Sequence, residues 1–130
     1  MLANADAVAT VGVRDIAAAR EFYGKVLGLR EGDPGDCKMA EILFFESGRS
    51  RIQVYRSEYA GTNQATAITW DVGDRIGEVA AALTSRGARF EHYDLPGARL
   101  EGDIHVMDDM GVKAMWLKDP DGNILNINGR

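Results

Sequence analysis

Two stretches of this chain share one pattern of strand, helix cap, apolar stripe and glycine stop, offset by 59 residues. In the first, Ala7–Val13 reads as a strand with Ala9, Val11 and Val13 on one face and Val8, Thr10 and Gly12 on the other. Asp15 follows as an N-cap, Ile16, Ala19, Tyr23, Val26 and Leu27 recur at helical spacing, and Gly28 stands where a left-handed residue ends a helix. In the second, Thr66–Val72 reads as a strand with Ile68, Trp70 and Val72 on one face. Asp74 is the expected cap, Ile76, Val79, Ala80 and Leu83 form the stripe, and Gly87 is the stop. At the same offset Val11 falls on Trp70 and Val13 on Val72. A repeat of this kind predicts two similar supersecondary units.

Strands follow each helix. In the first half they are expected near Leu29–Gly32, over Lys38–Glu46 and over Arg51–Ser57, the last two joined by Ser47-Gly48-Arg49-Ser50. In the second half they are expected over Ala88–Leu95, Val112–Lys118 and Asn123–Asn128, the last two joined by Asp119-Pro120-Asp121-Gly122. Each half is thus β-α-β-β-β. The hairpin glycines Gly48 and Gly122 are 74 residues apart rather than 59, so the second half carries about 15 extra residues. They are assigned to a loop over Pro96–Gly111, an ordered lid or a disordered segment.

The 130 residues fit one domain, and 45% apolar content argues against disorder. With 15 basic against 20 acidic side chains, a formal charge of −5 and no run of Lys and Arg, nucleic acid is not an expected partner. No apolar run is long enough to span a membrane, and the N-terminus lacks the basic start and apolar core of a signal peptide. A single cysteine, Cys37, fits a reducing compartment and a cytoplasmic location; it reads as either a nucleophile or an inert thiol.

Val13-Arg14-Asp15-Ile16 leading to Glu21-Phe22-Tyr23 and Val26-Leu27-Gly28-Leu29, together with Trp116-Leu117-Lys118-Asp119-Pro120-Asp121-Gly122-Asn123, resembles the first-helix and final-hairpin motifs of the vicinal-oxygen-chelate superfamily (glyoxalase, bleomycin-resistance and extradiol-dioxygenase proteins). The resemblance covers nearly the whole chain. It implies an α+β fold in which two tandem βαβββ modules, about 5–58 and about 65–130 with the insertion at about 96–111, form a curved, cup-like mixed sheet within a single domain. It also implies a small molecule lying within the cup and, for resistance relatives, a homodimer.

In metal-dependent members the first and last strands of each module supply the ligands of a divalent ion that acts as a Lewis acid. Counting from the motifs, the resemblance places these positions at Val8, Gln53, Ala67 and Asn126. Two are apolar and two are neutral amides, so neither a metal nor another cofactor is expected. The histidines, His92 and His105, are 13 residues apart without metal-ligand spacing and read as surface residues.

Alternation places Thr10 with Val8, Tyr55 with Gln53, Thr69 with Ala67 and Asn128 with Asn126, giving a mildly polar, uncharged wall to which Trp116 is a candidate to add a ring. Trp70 reads as core. Met107, Met110 and Met115 read as an adaptable lid or as ordinary packing. Three functions stay open: a metal-free small-molecule binding protein sequestering an apolar or aromatic compound, a metal-dependent lyase or extradiol-type dioxygenase, and a metal-free isomerase or epimerase-like enzyme with His105 as acid or base.

Overall fold

In the computed structural model, which describes residues 1–35 and 41–130, the sequence repeat reappears as strand pairing. The chain divides into two units, Met1–Gly61 and Thr62–Arg130. The first contains β1 (Ala9–Val13), α1 (Ile16–Glu21), which runs on as a π-helical turn (Phe22–Val26), β2 (Arg30–Glu31), β3 (Ile42–Ser47) and β4 (Ser50–Arg56). Its sheet has the order β1-β4-β3-β2, with β1 parallel to β4 and the other pairs antiparallel. The expected strand from Lys38 begins at Ile42; Cys37 and positions 38–40 lie outside the described residues.

Val11, Val13, Leu43, Phe45, Ile52 and Val54 are buried along one sheet face, and Ala19 and Tyr23 are buried on the helical segment. The Tyr23 and Phe45 rings lie 5.8 Å apart between centroids. Asp15 caps α1 as its sequence predicts, accepting a hydrogen bond from the Ala18 N–H at 3.1 Å. The expected regular helix to Leu27 is shorter. Leu27 donates to the Phe22 carbonyl, five residues back, and Gly24, the poorest helix former of the segment, lies at the centre of this wider turn.

The second unit contains β5 (Thr66–Asp71), a 3-10 turn (Gly73–Arg75), α2 (Ile76–Ser85), β6 (Phe90–Glu91), β7 (Arg99–Glu101), β8 (Ile104–Met107), a second 3-10 turn (Asp108–Met110), β9 (Val112–Lys118) and β10 (Ile124–Gly129). Its sheet has the order β5-β10-β9-β8-β7, and β6 also pairs with β9. As in the first unit, the first strand is parallel to the last and the rest are antiparallel. Both units are mixed α+β. Ile68, Ile76, Leu83, Met115, Leu117, Leu125 and Ile127 are buried in the second core. No described helix is long and apolar enough to cross a membrane.

Three expectations need correction. Asp74 does not cap α2. The Asp71 carboxylate instead accepts from the Gly73 N–H at 2.9 Å, a turn forms early, and Asp74 is absorbed into it, leaving Arg75 before the helix without a side-chain cap bond. The segment 96–111 is not a structureless loop: it folds into the β7–β8 hairpin around Gly102 (φ 61°) and then the second 3-10 turn. The strand expected over Ala88–Leu95 shrinks to Phe90–Glu91 for a related reason. β6 pairs with Trp116 and Leu117, whereas β8 pairs with Val112, Lys113 and Ala114, so the hairpin occupies the rest of the β9 edge.

The final hairpin is closed by a buried carboxylate. Asp119 accepts from the Asp121 N–H (3.0 Å), the Asn123 N–H (2.8 Å) and the Asn123 amide (2.7 Å). Beyond it, β10 runs close to the start of α2. A Cβ on Gly129 would stand 2.5 Å from the Gly73 carbonyl oxygen and 2.7 Å from the Ile76 Cβ, so only glycine fits there without a shift.

Candidate functional site

Strand register decides which side chains share a face. In the first unit Thr10 pairs with Gln53, and Gln53 with Phe44. In the second, Thr69 pairs with Asn126, and Asn126 with Trp116. These rows lie on the sheet faces opposite the buried aliphatic rows of their units. Val8 lies just before β1 and is exposed; Thr10 is exposed, and its hydroxyl donates to the Val8 carbonyl at 3.2 Å. Gln53 is half-buried and Tyr55 exposed. Ala67 is exposed beside a register irregularity between β5 and β10, and Thr69 is exposed.

Asn126 differs from its counterpart Gln53. It is only 5% exposed, and its amide nitrogen donates to the Met115 carbonyl at 3.2 Å. The positions that the resemblance assigns to a metal therefore offer no carboxylate, imidazole or thiolate, and one of the two amides is engaged within its own sheet. This donor set does not fit a divalent ion. Among the described residues no three His, Cys, Asp or Glu side chains gather as a metal-binding group.

The row beside Asn126 holds what sequence reasoning missed. Asn128 pairs with Ala114, Ala114 with His105 and His105 with Leu100, so His105 shares a face with Asn126, Asn128 and Trp116. The expectation of a surface histidine is wrong for His105, which is 1% exposed. Its ring meets the Trp116 ring edge-on at 5.1 Å, stacks on Tyr93 at 6.2 Å and meets His92 edge-on at 6.3 Å. Tyr93 and Trp116 meet edge-on at 5.4 Å. The small Ala114 lies beside His105 in the register. A sequence signal for this arrangement exists: Gly102-Asp103 stands between Arg99-Leu100-Glu101 and Ile104-His105-Val106, a hairpin pattern hidden within a segment read as loop.

A single hydrogen bond fixes the His105 tautomer. The Tyr93 N–H donates to His105 Nε2 at 2.9 Å, so Nε2 carries the lone pair and, in the neutral ring, Nδ1 carries the proton. Nδ1 is buried and has no hydrogen-bond partner among the described residues. An unmade buried donor costs about 1–3 kcal/mol, which makes this atom the exception in the sheet.

His92 is half-exposed, with its Nε2 2.7 Å from the Asp103 carboxylate at the β7–β8 turn. Residues 92–95 and 98–100 line an open groove of about 320 Å³, to which His105 also contributes. The hairpin beside it is pinned by Arg99, which holds Asp108 through two bonds (2.8 and 3.1 Å) and Glu101 through one (2.7 Å). These hydrogen bonds hold both carboxyls below the usual carboxylate range and raise the Arg99 guanidinium further. The three methionines do not form one lid. Met115 is fully buried on the core face, Met107 is half-buried and Met110 is exposed.

The fold has close counterparts among solved structures. A lactoylglutathione lyase from Agrobacterium tumefaciens is 18% identical, with 97% of this chain and 93% of that one covered and a TM-score of 0.68. A glyoxalase/bleomycin resistance protein/dioxygenase from Alicyclobacillus acidocaldarius gives 18%, 97%, 91% and 0.69 for the same measures. The fosfomycin resistance protein FosX from Mesorhizobium loti gives 13%, 98%, 92% and 0.67. At these identities the likeness shows the fold alone. No curated protein sequence matches the chain. The family model "Glyoxalase/Bleomycin resistance protein/Dioxygenase superfamily" matches residues 6–127, and the chain belongs to that superfamily.

Proposed function

We propose that this chain is a metal-free small-molecule binding protein of the glyoxalase/bleomycin-resistance type, which sequesters an apolar or aromatic compound. The observation that carries the reading is the donor set at the family's metal positions. Val8 and Ala67 have no side-chain lone pairs, and Gln53 and Asn126 are neutral amides, with Asn126 already bonded to the Met115 carbonyl. On the same sheet face as these positions, Thr10 and Tyr55 in the first unit, and Thr69, Asn128 and Trp116 in the second, are uncharged hydroxyl, amide and aromatic side chains, a chemistry that suits an apolar body held by a few oriented polar contacts.

The two modules act as one domain, the protein is a cytoplasmic homodimer, and nucleic acid and membrane are not partners. An isomerase-like reaction with His105 as the base is not preferred, because the basic nitrogen of the tautomer present already accepts from the Tyr93 N–H. Native mass spectrometry of the freshly purified protein, followed by challenge with Mn²⁺, Ni²⁺ or Zn²⁺, tests the reading. The expected result is a dimer without a stoichiometric divalent ion that retains or takes up aromatic compounds. A tightly held ion at one per chain overturns it.

A further inference from the structure

The groove of the second unit joins three observations that the family's ligand positions do not use. Its lining includes His105, the one described side chain with a buried polar atom left without a partner. Part of its wall is aromatic: Tyr93 is 36% exposed, lies at 27° to the His105 ring and meets Trp116 edge-on. Its surroundings are acidic. Asp94 lines it, Asp103 stands against His92, and the guanidinium in its lining, Arg99, is shared between Asp108 and Glu101.

We propose that this groove is a binding subsite for an uncharged planar molecule bearing a carbonyl-type oxygen, which accepts the Nδ1 proton of His105 while the body of the ligand lies against Tyr93. A donor that the protein leaves unmade is satisfied by an acceptor brought from outside, and a fixed tautomer keeps that donor in place. Carboxylates outnumber cations around the groove, which disfavours an anion. The N–H dipole disfavours a cation. The space, about 320 Å³, lies at the small end of ligand pockets and suits one or two fused rings. The subsite deepens the ligand-binding reading and rests on it.

The probes are benzamide, toluene and benzoate, titrated into the ¹⁵N-labelled full chain and followed by NMR. In the free protein, long-range ¹H–¹⁵N spectra are expected to show the His105 proton on Nδ1. Benzamide is expected to shift that signal together with the Tyr93, Asp94 and Leu100 amides. It should bind about fivefold tighter than toluene, the value of one neutral hydrogen bond, and tighter than benzoate. His105→Phe keeps a ring and removes the donor, and should abolish benzamide's advantage. Leu100→Trp, at an exposed position on the groove, should block benzamide without altering the His105 tautomer, and serves if the first variant fails to fold.

A proton on Nε2, equal affinities for benzamide and toluene, or an unmoved Nδ1 signal overturns the subsite. Benzamide shifts confined to Thr69, Asn126 and Asn128 also overturn it but leave the ligand-binding reading standing. No shift at any of these residues overturns both the subsite and the aromatic ligand class of that reading.

Discussion

Asn126→Asp tests the reading of the metal positions at its most informative point. The substitution is nearly isosteric and replaces the amide nitrogen, which donates to the Met115 carbonyl at 3.2 Å, with a carboxyl oxygen. In its protonated form the new carboxyl can still donate to that carbonyl, whereas the ionised form sets two acceptors face to face at a site 5% exposed. Ionisation is therefore opposed by burial and by the carbonyl dipole. The carboxyl pKa should rise from its ordinary value of about 3.9 by about two to three units in the folded state. Because the folded pKa lies above the unfolded one, the variant matches the parent at the acid end and loses stability as pH rises between the two values. At about 1.4 kcal/mol per unit, the loss should level off near 3–4 kcal/mol above pH 7. Urea unfolding of parent and variant at pH 4.5, 6 and 8 measures it. The expected difference is small at pH 4.5 and about 3 kcal/mol at pH 8, with no recovery on adding Mn²⁺ or Ni²⁺. A pH-independent difference would refute the buried-acceptor argument. Recovery with stoichiometric metal would show that this position still converges with other ligands, and would refute the metal-free reading.

Asp119→Ala removes the acceptor of three hydrogen bonds in the final turn and should cost about 3 kcal/mol in urea unfolding; a cost under about 1 kcal/mol would mean that Pro120 and Gly122 suffice to hold it. Gly129→Ala drives a Cβ against the Gly73 carbonyl and Ile76, and about 2–3 kcal/mol should be lost in the same assay; a neutral result would contradict the close packing of β10 on the start of α2. The Arg99 pairs contribute above the ordinary carboxylate pKa, and the contribution disappears as pH falls through the lowered values of Asp108 and Glu101. Hydrogen exchange should accordingly show the β7–β8 amides losing protection on acidification, a response that Arg99→Gln abolishes and that would persist if the ion pairs were idle.

Where the fold was legible, local chemistry and tertiary packing ask for the same residue. Asp15 is both a good cap residue and the observed cap, and Asp119-Pro120-Asp121-Gly122 is both a turn composition and a turn closed by its own carboxylate. Asp74 misled because an equally good turn former, Asp71, lies three residues earlier and engages the backbone first. The β7–β8 hairpin was obscured by its composition. Its strands carry Arg99, Glu101 and His105, and only the neighbouring β9 edge makes so polar a segment worth pairing. His105 illustrates the limit of residue statistics: a histidine in a Gly- and Asp-rich segment reads as exposed, and although Gly102-Asp103 signals the β7–β8 hairpin, its burial follows from the β8–β9 register, which that local pattern does not set.

The same register explains why the second unit carries the orphaned donor. The parallel pair of first and last strands places Gln53 and Asn126 equivalently, beside Thr10 and Thr69. Beyond that pair the units diverge. In the first, among the described residues, the edge of β3 is met by the two residues of β2 and by the Gly32 N–H, which donates to the Phe44 carbonyl. In the second, the β9 edge holds β6 and β8 end to end, and β7 covers β8. An exposed strand edge invites pairing with other chains; here it is covered by a hairpin whose outer strand is three residues long and carries Arg99 and Glu101. His105 therefore lies one strand inside the edge, covered by Tyr93 and Trp116, with its lone pair fixed by a backbone N–H. A histidine held in this way presents a directed N–H at Nδ1, and an acceptor on the ligand is what the proposed subsite requires.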